Sequence, residues 1–354
     1  MEILLEEFYK QDLHTVPYIE RTVQLDERSF QITGIAQCGK TSLAKNYLLG
    51  LKKNTYLYLD LNDIRINYEE ISPILTRFCN NNSITTVVLD NYHDNFELPR
   101  VQQLITISEL FYDLILPEHL ILRPLSYEEF LAYEHKYDSS ALTHYIQLGG
   151  FPIMQRLYAD ERIRFIQNTL RSHLSDIEFS IMIFAAKLSS QKVSAFTIYE
   201  RLKNERKISK DKLYKLFELL IEKGYLYQLS KPNHPRATKK LYLGDIAIKN
   251  ALSASKNFGR LFENLVFLQL RRKDTKIYYE DDIDFYLPET NEIILCLPFA
   301  NEHALFKKIE AIESYIFSHN IKKITALSMN LESSLSHPFA DIEIVPYTIW
   351  ALSD

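Results

Sequence analysis

Short stretches in the first third of the chain are apolar throughout or alternate between apolar and polar residues, which is the pattern of β-strands. Between them lie two stretches whose apolar residues recur at helical spacing. The predicted strands are SFQITG (29–34), NTYLYLDLND (54–63), SITTVVLDN (83–91) and QQLITIS (102–108), and the predicted helices are SLAKNYLLGL (42–51) and YEEISPILTRF (68–78). Strands that alternate with helices in this way predict an α/β domain built on a parallel sheet.

From about residue 160 the apolar spacing becomes helical and stays so for three predicted helices. The last of these helices has Ser209 as its predicted N-cap and Gly224 as its predicted stop. Two short β-rich runs, YLYQLS (225–230) and KKLYLG (239–244), follow it. Three helices and then a hairpin predict a winged-helix-like domain.

The last part of the chain returns to mixed patterns. FENLVFLQLRR (262–272) predicts a helix, while KIYYEDDIDFYL (276–287) and EIILCLPF (292–299) predict strands. KKITALSMN (322–330) and IEIVPYTIWAL (342–352) predict a closing strand and helix. These elements predict a further α/β domain.

Residues 34–41, GIAQCGKT, fit the phosphate-binding pattern G-x-x-x-x-G-K-[ST] between a predicted strand and a predicted helix. The chain has only 8 glycines, and two of them stand at the required positions. Such a loop points backbone N–H groups at phosphate oxygens, and its lysine neutralises the β- and γ-phosphates. The predicted nucleotide-binding residues are Gly34, Ala36, Gln37, Cys38, Gly39, Lys40, Thr41 and Ser42. The alternative is a turn between two glycines that binds nothing.

Asp90 ends an apolar strand about 50 residues after this loop, where a P-loop nucleotidase has an acid that holds Mg²⁺. We therefore expect the Thr41 hydroxyl and the Asp90 carboxylate to contact the metal, unless Asp90 is an ordinary turn residue. Asn91 stands where most hydrolysing ATPases of the AAA type have an acid that activates water. An amide cannot act as a general base near neutral pH, so we expect binding with slow hydrolysis. Asp94 and Glu97 could substitute or be solvated loop residues.

Thr106 and Ser108 lie on the following predicted strand, where a polar side chain could sense the γ-phosphate. A core strand with an incidental threonine is an equally good interpretation.

Composition limits the remaining possibilities. The 354 residues are 46% hydrophobic and 25% charged, no apolar run reaches 18 residues, and the N-terminus has no basic signal-peptide region, so we expect no membrane span. Three cysteines without metal-type spacing favour the cytoplasm. The net charge is −5, yet residues 200–240 carry 12 Lys and Arg against 5 Asp and Glu. This segment, including the 231–240 wing, could contact DNA phosphates or a protein, or could be a solvated face.

Six segments in a fixed order resemble a prokaryotic family of AAA-like P-loop ATPases whose C-terminal domain is related in fold to restriction endonucleases. The segments are YLDLND (58–63), LRPLSYEEFLAYE (122–134), YIQLGGFPIM (145–154), KLYLGDIAIKNAL (240–252), GRLFENLVFLQLRR (259–272) and YYEDDIDFYL (278–287). The resemblance implies a P-loop AAA-like ATP-binding domain at 1–140, a winged-helix-like domain at 141–248 and a degenerate restriction-endonuclease-like α/β domain at 249–354. The family's arginine before the Pro-Leu-Ser segment is missing, and Arg123 is the nearest alternative.

A nuclease of that fold would use Glu263 from a helix, Asp284 from a strand, and a Glu-x-Lys on the next strand. That next strand reads IILCLPF, so Leu295, Cys296 and Leu297 supply neither an acid nor an amine. We expect Glu263 and Asp284 to be structural relics.

The sequence thus predicts a cytoplasmic protein that binds ATP and Mg²⁺ and hydrolyses ATP slowly. The alternative is a nucleotide-sensing module that binds DNA or protein without useful catalysis. A preference for GTP is a third possibility, although no Asn-Lys-x-Asp base reader is present.

Overall fold

The structure is a computed structural model that describes residues 1–13, 18–134, 139–255, 257–273, 275–338 and 340–353. The described residues form two compact units. The first consists of residues 1–125, 132–134 and 151–153, and the second contains the rest. The predicted division into three domains remains a prediction.

The first unit is built on a five-stranded parallel sheet, which confirms the predicted α/β domain. Its elements are α1 (Glu2–Lys10), β1 (Phe30–Thr33), α2 (Lys40–Leu49), β2 (Tyr56–Asp60), α3 (Tyr68–Asn81), β3 (Thr86–Asp90), β4 (Gln103–Ser108) and β5 (Glu118–Ile121). The strand order is β2-β3-β4-β1-β5. The carboxyl ends of β1, β2, β3 and β4 therefore meet at one edge of the sheet, where α/β proteins bind ligands.

One apolar core holds the sheet of the first unit against α3. β1 and β3 are buried along their whole length, as expected of central strands with both faces covered. Ile71, Leu75 and Phe78 of α3 are buried against Leu57 and Leu59 of β2. Full burial of one such side chain contributes about 1.5–3 kcal/mol, so this packing fixes where the strands end.

The second unit begins with helices and a small antiparallel sheet. Its elements are α4 (Tyr127–Glu134, whose last residues belong to the first unit), α5 (Ser139–Leu148), a 3₁₀ turn (Pro152–Gln155, whose first two residues belong to the first unit), α6 (Ala159–His173), α7 (Asp176–Leu188), β6 (Gln191–Lys192), α8 (Ala195–Leu202), α9 (Lys210–Glu222), β7 (Leu226–Leu229), β8 (Lys240–Leu243) and α10 (Ile246–Leu252). The strand order is β6-β8-β7. Ser209 caps α9 by accepting from Lys212 N, and Gly224 follows the helix with a φ of 83°, as predicted.

The remainder of the second unit is a mixed six-stranded sheet with helices. Its elements are α11 (Phe258–Leu270), β9 (Tyr278–Glu280), β10 (Ile283–Leu287), β11 (Glu292–Cys296), α12 (Glu302–His319), β12 (Lys323–Ser328), β13 (Ser333–Leu335), β14 (Asp341–Pro346) and α13 (Tyr347–Trp350). The strand order is β13-β14-β12-β11-β10-β9. The prediction of one strand at 276–287 is wrong, because Asp282, with a φ of 63°, turns the chain between β9 and β10. The closing strand predicted at 322–330 is present as β12, whereas residues 342–352 form most of a strand, β14, before the closing helix α13.

Across the part of the chain that the structure describes, no helix combines the length and apolar character needed to cross a bilayer.

Candidate functional site

The loop after β1 is shaped by left-handed backbone conformations. Gly34 has a φ of 149°, Gln37 of 62° and Gly39 of 103°. A Cβ on Gly34 would lie 2.1 Å from the carbonyl oxygen of Leu122, so only glycine fits there. Residues in such conformations turn successive N–H groups inward, which makes an anion-binding concavity.

The N-terminus of α2 opens into this loop. Gly39 is the N-cap and has no side chain to cap the helix, and the first turn contains no acidic residue. The first N–H groups of α2 therefore remain available to an anion. The Nζ of Lys40 donates to the carbonyl oxygens of Gly34, at 2.7 Å, and Ile35, at 3.0 Å. This ammonium group lies against the loop, where phosphate oxygens could replace the carbonyls.

The predicted metal-binding pair is brought together. The hydroxyl of Thr41 donates to Oδ2 of Asp90 over 2.6 Å, although the two residues are far apart in sequence. The hydroxyl of Tyr58, on β2, donates to the same oxygen over 2.6 Å. Burial and the Asp90 charge raise the pKa of Tyr58, so this phenol remains a donor. Asp90 is only 3% exposed and is held by hydroxyl donors.

Asn91 joins β3 to the neighbouring strand β2. Its φ is 57°, and its backbone N–H donates to Oδ1 of Asp90 over 2.9 Å. Its side-chain Nδ2 donates to Oδ1 of Asp60 over 2.7 Å. Asp60 and Asp90 are register partners at the carboxyl ends of β2 and β3. Two carboxylates and one amide therefore line this edge of the sheet.

The other predicted site residues differ in their burial and in their hydrogen bonds. Thr106 is fully buried, and its Oγ1 has no hydrogen-bond partner among the described residues. Ser108 donates to the carbonyl oxygen of Leu110 over 2.6 Å. Asp94 and Glu97 are exposed on the loop beyond β3. In the loop between β1 and α2, Ala36 and Cys38 are buried and Gln37 is exposed, and Ser42 on α2 is half-buried.

Arg21 supports the loop from beneath and was missed by sequence reasoning. Its guanidinium donates to the carbonyl oxygen of Cys38 over 3.0 Å and to that of Arg123 over 2.7 Å. It is 5% exposed. Holding the Cys38 carbonyl fixes the peptide that joins Cys38 to Gly39. A single arginine ahead of the first strand belongs to no motif, so the sequence contains no signal for it.

These residues suit Mg²⁺ only in company with a nucleotide. Among the described residues no group of three His, Cys, Asp or Glu could hold a metal ion alone. Mg²⁺ is typically bound by one or two protein groups together with substrate phosphates and waters. Thr41 and Asp90 lie beside the uncapped N-terminus of α2 and supply one hydroxyl and one carboxylate, which matches that requirement.

A second polar cluster lies in the second unit. The Nζ of Lys240, on β8, is 2.9 Å from Oε1 of Glu263 on α11 and 3.5 Å from Oδ1 of Asp284 on β10. Tyr242 donates to the same Glu263 oxygen over 2.7 Å, and the backbone N–H of Cys296 donates to Asp284 over 2.8 Å. β11, the strand on which a nuclease of this fold would have its lysine, offers no amine, as predicted. In this structure β8 supplies the amine instead, through Lys240.

Burial controls the charges in this cluster. It raises the pKa of Glu263, and the nearby Asp284 raises it further, against the opposing effect of Lys240. Burial alone would lower the pKa of Lys240, but the attraction of both carboxylates outweighs it and the pKa is raised. Lys240 is therefore charged at neutral pH and offsets one of the two carboxylate charges from within.

The basic segment 200–240 is only partly available to a partner. The alternative in which the 231–240 wing contacts DNA phosphates does not extend to Lys240, which is 9% exposed and ion-paired. Lys231 is paired with Glu280, at 3.0 Å, and Asp281, at 2.7 Å. The exposed cations of the segment are Arg201, Lys203, Arg206, Lys207, Lys210, Lys212, Lys215 and Arg236.

Comparisons with known proteins add little to this geometry. No protein-family model matches the chain. An uncharacterized protein of Methanocaldococcus jannaschii is 28% identical over 277 residues, which cover 65% of this chain and 62% of that protein. The chain therefore spans about 62% of the length of that relative.

Two solved archaeal structures are similar in part. The Walker-type ATPase of Pyrococcus abyssi matches 63% of this chain and 90% of its own, with 13% identity and a TM-score of 0.43. The ORC1 protein of Aeropyrum pernix in complex with DNA matches 66% of this chain and 88% of its own, with 14% identity and a TM-score of 0.31. At these scores neither likeness establishes a shared fold.

Proposed function

We propose that the first unit is an AAA-like P-loop domain that binds ATP together with Mg²⁺. The observation that carries this proposal is the hydrogen bond between Thr41 and Asp90 beside the uncapped N-terminus of α2. This hydrogen bond brings a hydroxyl and a carboxylate next to a loop whose path requires glycine at position 34. Backbone N–H groups of the loop would hold the phosphates, Lys40 would neutralise them, and Thr41 and Asp90 would hold Mg²⁺. Mg²⁺ would draw electron density from the γ-phosphate when bound.

We propose further that hydrolysis is slow, because Asn91 occupies the position of the usual water-activating acid. Turnover below about 0.1 per second is expected, against a typical range of about 1–1,000 per second for enzymes. A steady-state ATPase rate in the ordinary range would refute this part of the proposal and leave the binding site intact.

The test of binding is titration of the purified protein with a fluorescent ATP analogue, with and without Mg²⁺. Lys40→Ala should weaken binding at least tenfold, because the phosphates lose their cation. Lys45→Ala is the matched control, since Lys45 lies on the same helix with its Nζ 4.4 Å from the ring centre of Tyr58. Equal affinity of the wild type and Lys40→Ala would contradict the site.

A second candidate function is a nucleotide-sensing module that binds DNA or protein without useful catalysis. The eight exposed cations at 201–236 favour this function. The element order α7, β6, α8, α9, β7 and β8 favours it as well, because we propose that these elements form a winged-helix-like domain. We likewise propose that residues 249–354 are a degenerate restriction-endonuclease-like domain. Three free cysteines favour a reducing, cytoplasmic compartment.

A gel-shift assay at two salt concentrations tests the DNA alternative. Charge reversal at Lys207, Lys212 and Lys215 should remove salt-sensitive DNA binding, because these exposed lysines would contact phosphates. Lys231→Glu is the control, since Lys231 already pairs with two carboxylates. Absence of any shift by the wild type would leave a protein partner as the remaining form of this alternative.

A further inference from the structure

The carboxyl edge of the parallel sheet contains a second acid that the sequence did not assign. Asp60 ends β2 beside Asp90, which ends β3, and the two are register partners. Neighbouring strands are about 4.8 Å apart, so Asp60 lies one strand away from the proposed metal ligand. No Lys or Arg among the described residues forms an ion pair with it.

The hydrogen bonds at this edge distinguish the two acids. Oδ2 of Asp90 accepts from two hydroxyls and its Oδ1 accepts from Asn91 N, so Asp90 is held in place. Asp60 accepts from Asn62 N, at 3.0 Å, and Asn91 Nδ2, at 2.7 Å, both through Oδ1. Its Oδ2 accepts no hydrogen bond from any residue that the structure describes. Asp60 is half-exposed, so this oxygen can meet water.

The amide at position 91 has a definite role in this arrangement. An asparagine cannot take a proton, but its Nδ2 donates to Asp60 and orients that carboxylate. The alternative acids, Asp94 and Glu97, are exposed on the following loop and lack such an anchor.

We infer that Asp60 is the general base for the residual ATP hydrolysis of this protein, and that Asn91 is the residue that positions it. The inference rests on the proposed binding of ATP and Mg²⁺ at the P-loop. Oδ2 of Asp60 accepts a proton from water as the water oxygen bonds to the γ-phosphorus. The bond from that phosphorus to the oxygen that bridges to the β-phosphate breaks, and its electron pair stays on that oxygen. The products are ADP and inorganic phosphate, and Asp60 returns its proton to solvent.

The test combines nucleotide binding with single-turnover hydrolysis of radiolabelled ATP, followed over hours. Asp60→Asn is expected to bind the fluorescent ATP analogue within about threefold of the wild type and to hydrolyse at least about a hundredfold more slowly, the range typical of a lost general base. Nucleotide extracted from Asp60→Asn after incubation should remain ATP, whereas the wild type should hold ADP. Asn91→Ala should lower the rate by a smaller factor with binding unchanged.

The matched controls are Asp94→Asn and Glu97→Gln, which remove exposed acids from the same edge and should leave the rate unchanged. A rate for Asp60→Asn equal to that of the wild type would overturn the inference, and so would a wild type that binds ATP yet never hydrolyses it. A wild type that binds no ATP would overturn the proposed function itself. Melting temperatures of all variants without nucleotide show whether a lost rate reflects lost folding.

Discussion

Two pairs of carboxylates in this protein differ in the groups that stabilise their negative charge. Asp60 and Asp90 end neighbouring parallel strands, and the groups that bond them are hydroxyls, backbone N–H groups and the Asn91 amide. Glu263 and Asp284 instead share the ammonium group of Lys240. The first pair has uncharged partners, whereas the second has its own cation.

The difference shows which pair can take up a cation from outside. A neutral donor stabilises a carboxylate but leaves its charge in place, so the first pair keeps the negative charge that the proposed Mg²⁺ site requires. The lysine between Glu263 and Asp284 weakens that attraction, because it offsets one of the two charges from within and the Coulomb interaction is strong where water is largely excluded. The second pair is therefore a structural element that ties β8 to α11 and β10.

The largest effect is expected when Lys240 is replaced by Met. The buried Glu263 and the partly buried Asp284 would lose their cation, and breaking a buried pair by removing one partner costs about 3–5 kcal/mol. Lys323→Met is the control, because Lys323 is 48% and its partner Glu343 38% exposed, and such pairs contribute about 0–1 kcal/mol. Urea unfolding at pH 7 measures both variants, and similar losses would abolish the distinction between the two pairs.

A smaller effect is expected when the charge of Glu263 is removed in the Lys240→Met background. Glu263→Gln leaves one buried charge fewer, so the double variant should recover at least about 1 kcal/mol of the loss. In the wild type the same change should be destabilising, since Lys240 would lose a partner. If Glu263→Gln changed the free energy of unfolding by the same amount in both backgrounds, Glu263 and Lys240 would not be coupled.

At the first pair, Asp90→Asn should change binding more than folding. Thr41 and Tyr58 can rotate their hydroxyls, so we expect the free energy of unfolding to fall by about 1–2 kcal/mol, less than for Lys240→Met. The stabilisation by ATP, about 2.7 kcal/mol at a hundred times the dissociation constant, should no longer require Mg²⁺. Thermal unfolding with ATP, with and without Mg²⁺, measures this, and an undiminished Mg²⁺ effect would exclude Asp90 as a ligand.

The smallest effect is expected for Tyr58→Phe. It removes one of the two hydroxyls on Oδ2 of Asp90 and keeps the ring that Lys45 contacts. A single hydrogen bond contributes about 0.5–1.5 kcal/mol, so affinity for Mg²⁺ and ATP should change less than tenfold. The titration used for Lys40→Ala measures it, and a larger loss would make Tyr58 part of the binding site.

Much of the first unit could be predicted because its signals are local. The apolar runs that end in Asp60 and Asp90 are strands, and residues 34–41 form a loop between a strand and a helix, as their pattern indicated. The positive φ of Gly34 and the start of α2 at Lys40 could be predicted because both depend on the backbone conformation of a few neighbouring residues. The role of this loop in binding remains a prediction, because geometry by itself does not show a ligand.

Other features required the tertiary structure. The sequence could not show that Arg21 reaches the carbonyl of Cys38, or that Asn91 bonds Asp60, because both contacts depend on how distant segments are placed. Strand order and register decide which strand ends are neighbours, and they are set by packing across the whole sheet.

The sequence by itself determined β1 to β4, the helices α2 and α3 and the glycine-bracketed loop of the first unit, because periodicity and glycine placement are encoded over a few residues. Only the tertiary structure decided which charges meet. Lys240 belongs to a basic segment in the sequence, yet in the fold it is a buried counter-ion for Glu263 and Asp284. The physical reason is that charge interactions depend on distance and burial in space, which neighbours along the chain do not define.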